Sequence, residues 1–400
     1  MAYQPTTNFE DSNEVDLGKK LVSKGYLLEV YGSVLESLGN SGLTVTPELW
    51  IWGDSNENRL GIYQSGTGTR QTPVTTFAGG FNWKQVSLLE TTGHAIKTDG
   101  TLWGWGNGSD LLGIDRSFNQ SIATPVSIFG GATNWRQVGG TAAIKTDGTL
   151  WVWGVRTGTN TDHNSTKKTP VTTFAGGNDW KQVSSYFTSY AAVKTDGTLW
   201  VWGENNNLQL GTNDNIEKST PVTTFAGGND WKQVAIKNYG GAAIKTDGTL
   251  WVWGFRNFMG YLGTNDGQDK STPVTTFAGG NDWKQVAIAH HNYNSCSMAA
   301  VKTDGTLWTW GNVASGSNSV SITPITTFAG GTNWKQVAVN EQNALAIKTD
   351  GTLWVWGGGA GLGVISNVVT PVPVYGAGNN WKQVSAARFH SAAIQSIDYI

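Results

Sequence analysis

Four stretches of the 400-residue chain carry residues whose types and spacing could do chemistry. His290, His291 and Cys296 fall within one loop and offer the imidazole and thiol ligands that zinc takes. Three donors on a single loop leave a tetrahedral ion one ligand short, so an exposed polar loop is the simpler expectation. GTNDN at 211–215 and GTNDG at 263–267 bring oxygens of the kind calcium prefers, yet neither ends in a bidentate acid, which favours plain turns. GGGAGLG at 357–363 has the composition of a phosphate cradle, but no helix pattern follows it to supply N-terminal amides. There is no serine elbow, no HExxH and no Walker loop. With only five His and no triad spacing, the expectation is a protein that is not an enzyme and needs no cofactor or metal.

What remains are residue types suited to recognition, and their places depend on the scaffold. Twenty-one Trp, 53 Gly and 14% charged residues describe a β-rich chain with many tight turns. The formal net charge is −2, and the first 45 residues hold six acidic residues against three Lys. No basic stripe is available for phosphates, which argues against a nucleic-acid partner. Cys296 is the single cysteine, so an internal disulfide is excluded. No run of about 18 apolar residues occurs to span a membrane, and the first residues lack the basic and apolar regions of a secretory signal.

A repeat decides the architecture. The pentad Leu-Trp-x-Trp-Gly recurs with its first Trp at 50, 103, 151, 200, 251, 308 and 354, in steps of 46 to 57 residues. A second element, TPVTTFAGGNDWKQV, stands verbatim at 169–183, 220–234 and 272–286, with variants ending at 86, 138, 337 and 384. Together they contain all 21 Trp, which makes Trp a framework residue. Each unit reads as four strands: A (WKQV), B (AAIKT), C (LWVWG) and D (PVTTF). Asp-Gly between B and C suits a two-residue hairpin turn, and the Pro of D is expected at the strand start. In strand C, Trp151 and Trp153 share one face while Leu150 and Val152 share the other. Both faces are apolar, as a sheet packed between two neighbouring sheets requires. The prediction is an all-β fold, a seven-bladed β-propeller of four-stranded antiparallel blades over residues 46–400.

One copy of the pentad, at 49–53, lacks the Lys-Thr-Asp-Gly-Thr that precedes the others. The last unit supplies strands A and B at 381–397 and then stops. The two halves make one blade, two strands from each end, in which Trp50, Trp52 and Ile394 close the ring and remove the open sheet edges.

Alternating strand direction puts the A–B and C–D connections on one face and the B–C and D–A connections on the other. The second face repeats TDG and AGGNDW, whereas the first carries nearly all the variation and six of the seven Arg. Candidate interaction residues there are Tyr63, Arg116, Phe118, Arg156, Tyr186, Phe187, Tyr190, Tyr239, Arg256, Phe258, Tyr261, His290, His291, Tyr293, Arg388 and Phe389. Tyr and Arg are the side chains that most often anchor interfaces.

AAIKTDG at 242–248, GENNNLQLG at 203–211 and HSAAI at 390–394 resemble units of the regulator-of-chromosome-condensation repeat family. Those units run from an apolar pair through an acidic-Gly turn and aromatic-x-Trp-Gly to an Asn-rich stretch, Gln-Leu-Gly and Pro-Val. The resemblance implies a seven-bladed propeller. It leaves function open, because the scaffold hosts exchange factors and enzyme inhibitors alike.

Residues 1–45 fall outside the repeat. Leu27, Val30, Tyr31, Val34 and Leu38 stand at helical spacing, which predicts one amphipathic helix of about 14 residues, too short to be stable alone in water. It is expected to dock on the propeller or on another chain. The same head, NFEDSNEVDLGKKLVSKGYLLEVY, resembles N-terminal segments of structural proteins from marine T-even-like tailed phages. That resemblance implies a virion surface or tail-associated protein, held among other virion proteins by residues 1–45 in multiple copies. Its variable face would meet a host receptor, protein or glycan. The alternatives are a free interaction or inhibitor propeller, cytoplasmic or extracellular, and a lectin-like carbohydrate-binding module.

Overall fold

Each repeat folds into one four-stranded antiparallel sheet, and seven such sheets form the blades of a propeller. The computed structural model describes residues 46–63, 68–76, 82–108, 110–115, 121–160, 165–255, 257, 260–292, 295–311, 321–327, 330–340, 343–357, 368–374 and 378–397. The blades belong to the unit Pro47–Gln395. The head helix expected from Leu27, Val30, Tyr31, Val34 and Leu38 lies outside the described residues, among which no α-helix occurs.

Blade 3 is typical, with strands A Trp180–Tyr186, B Ser189–Lys194, C Leu199–Gly203 and D Lys218–Thr223. The A strands line a central channel. Blade 7 is built from both ends of the repeat array, in the order Thr69–Thr75, Thr46–Asp54, His390–Ile397, Trp381–Ala386. The 2+2 closure read from the orphan pentad is therefore the observed one. Trp52 packs with Leu345, Leu353 and Val355 of blade 6, and Ile394 with Trp83, Val86 and Trp105 of blade 1. Trp50 meets the ring of Trp381 edge to face at 6.1 Å.

Two local expectations change. The B–C turn is a three-residue loop: Gly148 N–H donates to the Lys145 carbonyl and Lys145 N–H to the Thr149 carbonyl, both at 3.0 Å. Of the pair Asp147-Gly148, only Gly148 is left-handed, at φ +82°. This is the geometry of a turn closed by a glycine bulge. Asp147 keeps ordinary dihedrals because its carboxylate accepts from the N–H and hydroxyl of Thr149, at 2.9 and 2.7 Å. A Cβ on Gly148 would also come within 1.9 Å of the Asn178 carbonyl of the next blade. The second change concerns Pro of strand D, which lies inside the strand. Lys218 pairs with Gly203 and Val222 with Val201, so the D strand carries two extra residues there. Pro221 sits in that bulge on an outer edge strand, where a missing N–H costs no ladder bond.

Packing between blades follows the alternation of strand C. Trp153 clusters with Ile96, Leu102 and Ile128 of blade 1, while Leu150 and Val152 cluster with Trp180, Val183 and Trp202 of blade 3. One face thus turns to the preceding blade and the other to the following one. Burying a Trp removes roughly 150–250 Å² from water, so these contacts dominate the apolar stabilisation. The Lys that ends strand B stacks on two of them. Lys194 Nζ lies 4.8 and 5.2 Å from the ring centres of Trp180 and Trp200, and 3.2 Å from the Asp179 carboxylate. In the closing blade Gln395 takes that position and donates to the Asn379 carbonyl at 2.9 Å.

The inner strands meet through a side chain. A bulge between Trp180 and Gln182 turns the Gln amide toward the next blade. There its Nε2 donates to the Val234 carbonyl and its Oε1 accepts from the Val234 N–H, both at 2.9 Å. The same two bonds join Gln85 to Val138, Gln137 to Val183, Gln233 to Val286, Gln285 to Val337 and Gln383 to Val86. Between blades 6 and 7 the Val384 N–H reaches Gln336 Oε1 at 3.3 Å.

Gln182→Leu keeps the volume but deprives Val234 of both partners, and is expected to cost about 1–3 kcal/mol in chemical denaturation. Trp52→Ala, which empties a site 1% exposed at the closure, is expected to cost about 3–5 kcal/mol. Trp50→Ala should cost less, since Trp50 is only partly buried.

Candidate interaction face

The A–B loops converge at the channel mouth. In five blades the sixth residue after the strand-A Trp reaches this opening: Tyr186, Lys237, Ala289, Asn340 and Ala387 line a small cavity there together with Arg388. Tyr186 donates its hydroxyl to Glu90 Oε1 at 2.8 Å across 96 residues of sequence. Lys237 Nζ lies 4.0 Å from the centre of the Tyr186 ring, and Phe187 meets that ring edge to face at 4.8 Å. Phe389 is flanked by the guanidinium groups of Arg388 and Arg59, each 4.6 Å from its ring centre. Arg59 is held in place by Asp54 and Glu57, both at 3.2 Å.

Burial governs the ionisation of this cluster. It raises the Glu90 carboxyl, against the opposing effects of the Tyr186 hydroxyl and of Arg388, Lys237 and Arg59. It raises Tyr186 well above the usual phenol value, helped by the Glu90 charge, so Tyr186 remains a donor. It lowers Lys237 to about 8, with Glu90 opposing.

The other expected residues divide into three groups. Tyr63 is 69% exposed, in a left-handed conformation fixed by its N–H donating to the Ala123 carbonyl at 2.9 Å. Tyr190, Tyr261 and Arg156 serve the framework instead of a surface. Tyr190 is fully buried, stacked on Trp202 at 5.3 Å, and donates to the carbonyls of Trp153 and Val155. Tyr261 is 1% exposed and donates to the carbonyls of Tyr239 and Phe255. Arg156 bridges Glu204 at 2.9 Å and Glu217 at 3.2 Å, tying blade 2 to blade 3. Tyr239 is half-buried beside Tyr261. Arg116, Phe118, Arg256, Phe258 and Tyr293 lie outside the described residues, as do the side chains of His290 and His291.

Of the ligand-like motifs, residues 358–363 of GGGAGLG lie outside the described residues. Cys296 is buried in strand B of blade 5, opposite His290 in the ladder, and no cluster of three metal-binding side chains occurs among the described residues. In the GTND loops a lysine takes the place of a cation. Lys218 pairs with Asp214 at 2.7 Å and Lys270 with Asp266, while Asn205 and Asn257 knot each loop from within.

Residue type alone does not single out Glu90 or Lys237, because each is one charge in a polar stretch. The signal that finds Lys237 is its repeat position, six residues after the strand-A Trp, the same as Tyr186 and Asn340.

Residues 196–243 match the Regulator of chromosome condensation (RCC1) repeat. Comparison with curated proteins gives no match. Among solved structures, Prp20p from Saccharomyces cerevisiae superposes with a TM-score of 0.73 at 16% identity, covering 89% of this chain and 93% of that one. Human WBSCR16 does so with a TM-score of 0.71 at 17% identity, covering 88% and 99%. The fold is that of an RCC1-type β-propeller.

Two buried histidines make this fold sensitive to acid. Burial lowers His94, packed 5.3 Å from the Trp153 ring, from 6.5 to about 4, with the Leu111 and Leu112 carbonyls opposing. Burial and then the charge of Arg59 lower His390, beside Phe389, to about 3. Both are neutral when folded, so the unfolded chain takes up protons first as the pH falls below about 6.5. Stability is lost from there down to the folded values, on the order of 3 kcal/mol for His94. His94→Leu is expected to flatten the fall in stability between pH 6.5 and 4 by about that amount, as measured by urea denaturation across the range.

Proposed function

We propose that this chain is a non-enzymatic protein-interaction propeller whose A–B and C–D loops dock a partner around the channel mouth. The observation that carries this reading is the contrast between two parts of each blade. The framework is verbatim in three blades, while the loops differ in every one and bring Tyr63, Phe187, Arg388 and Phe389 to the same face. Drift alone would not concentrate aromatic and Arg side chains on one face, and these are the side chains that anchor interfaces. A protein partner is also the kind of ligand for which the structurally similar Prp20p was examined, namely Gsp1p and histones. No particular partner is carried over from it.

The finer form of the proposal is a virion surface or tail-associated protein, with residues 1–45 joining other virion proteins and the loop face turned to a receptor. It is supported by the resemblance of the head to phage structural proteins and by the division into a head and a larger repeat unit.

The test is affinity capture and cross-linking with the full chain against the Phe187→Ala/Arg388→Ala double variant and a variant of the opposite face, Lys181→Ala/Lys232→Ala. Loss of a partner, about tenfold or more, in the first variant alone is expected. Equal capture by both variants would remove the loop face from the interaction. Detection of the chain in purified particles, and its loss on deletion of residues 1–45, checks the virion form.

A further inference from the structure

The two faces differ in how they hold the bonds most open to self-cleavage chemistry. A Gly that follows Asn or Asp carries no side chain to shield its amide nitrogen, which can then attack the side-chain carbonyl of the residue before it. The sequence has seven Asp-Gly pairs, and Asn107-Gly108 is its one Asn-Gly pair.

Six of the Asp-Gly pairs are the B–C turns, and there both reacting groups are engaged. The Gly100 N–H donates to the Lys97 carbonyl at 3.0 Å, and the Asp99 carboxylate accepts from the N–H and hydroxyl of Thr101 at 2.8 and 2.7 Å. The turns at Asp147, Asp196, Asp247, Asp304 and Asp350 repeat these three bonds. The Thr101 hydroxyl also holds the Asp99 carboxyl below its usual value, so it stays ionised, the form that a nitrogen attacks least readily. In the seventh pair the Asp266 carboxylate accepts from the Thr264 hydroxyl, the Gln268 N–H and the Lys270 ammonium.

Asn107-Gly108 follows strand C of blade 1, Leu102–Gly106, and opens the C–D loop on the variable face. Its main chain is anchored on either side. The Asn107 N–H donates to the Thr91 carbonyl at 2.9 Å, and the Gly108 carbonyl accepts from Leu111 and Leu112 at 3.1 and 3.2 Å. The reacting groups themselves are not: neither the Asn107 side chain nor the Gly108 N–H has a hydrogen bond among the described residues. Both residues are half-buried, within reach of water, and Gly108 stands at φ +146°, a backbone conformation that favours glycine. An acid fits the place of Asn107. Glu204 and Asp54 hold it in blades 3 and 7, where their N–H groups likewise donate to the A–B loop, to the carbonyls of Thr188 and Phe389 at 2.9 and 2.8 Å.

We infer that Asn107 is a site of spontaneous deamidation, which adds a negative charge to the variable face while the B–C turns stay intact. The Gly108 nitrogen gives its proton to water and bonds to the Asn107 Cγ. The Cγ–Nδ2 bond breaks, ammonia leaves and a succinimide ring closes. Water then opens the ring. Opening at the Cγ carbonyl yields aspartate, and opening at the main-chain carbonyl yields isoaspartate, in which the chain runs through Cβ and Cγ. Water is the sole co-reactant, and nothing is oxidised or reduced. The aspartyl product takes the place that Asp54 and Glu204 fill. The isoaspartyl product lengthens the chain ahead of Leu111, whose carbonyl accepts from Trp153 Nε1 at 2.8 Å. No partner takes part, so the reaction does not rest on the docking role of this face.

Incubation of the full chain at neutral pH, followed by tryptic mass mapping, tests the inference. One peptide, residues 98–116, contains both Asp99-Gly100 and Asn107-Gly108, and the same peptide made synthetically gives the rates without a fold. In the folded chain Asn107 should gain about 1 Da at a rate within about tenfold of that in the free peptide. The rate should rise with pH, because the attacking nitrogen must first lose its proton. Isoaspartate at Asp99 should form at least about tenfold more slowly than in the free peptide. Asn107→Gln should abolish the mass gain, since its extra methylene demands a larger and slower-closing ring. An Asn107 that keeps its mass while the free peptide converts would overturn the proposal. So would conversion of Asn107 and Asp99 together at their free-peptide rates, which would place the reaction in the unfolded chain.

Discussion

The ring depends on one interaction, the amide of a strand-A Gln bonded at both ends to the backbone of a Val in the next blade. Each innermost strand has a free edge facing the channel, and unpaired backbone groups there would either need water or invite another strand. The Gln amide presents an N–H donor and a carbonyl acceptor side by side, as a peptide group does, so it stands in for the missing strand. Six of the seven junctions carry both bonds and the one between blades 6 and 7 carries the Val384 N–H to Gln336 Oε1 bond, and the ring closes through Gln383 and Val86, 297 residues apart.

That constraint accounts for how little the framework varies. The bulge after Trp180 must aim Gln182, the Trp must pack on its neighbour in strand C, and the strand-B Lys must lie over both rings. The Asp-Gly turn must also pass within contact of the next blade's D–A connection, which Gly148 permits and a larger residue would not. Four requirements on neighbouring positions leave the repeat few alternatives. The loops beyond strand A carry none of them, and there the chain differs from blade to blade.

Variation alone does not make a binding surface, and some of it serves the fold. Tyr190, Tyr261 and Arg156 sit in variable segments, yet their polar ends are consumed by carbonyls or carboxylates between elements. A second group gathers round the axis, where Tyr186, Lys237 and Arg388 line one small cavity and Tyr186 reaches Glu90. Burial there raises Glu90 and Tyr186 and lowers Lys237, so the mouth is polar but weakly solvated. Interactions made in such surroundings are stronger than the same contacts at the rim.

The sequence by itself determined the number of blades, the four strands of each and the shared blade at the chain ends. Those features are local: Trp spacing sets the period, side-chain alternation in LWVWG sets two buried faces, and the missing Lys-Thr-Asp-Gly-Thr before Trp50 marks the seam. It also located the variable face, since strand direction alone assigns loops to sides. Only the tertiary structure decided which loop residues are free and which meet. Tyr186 and Tyr190 are four residues apart on either side of one A–B turn, and one reaches Glu90 at the mouth while the other stacks on Trp202. The role of Gln was equally hidden, because its partner is always one blade away. Period and alternation describe a strand and its two faces, whereas these contacts arise from closing seven strands into a ring.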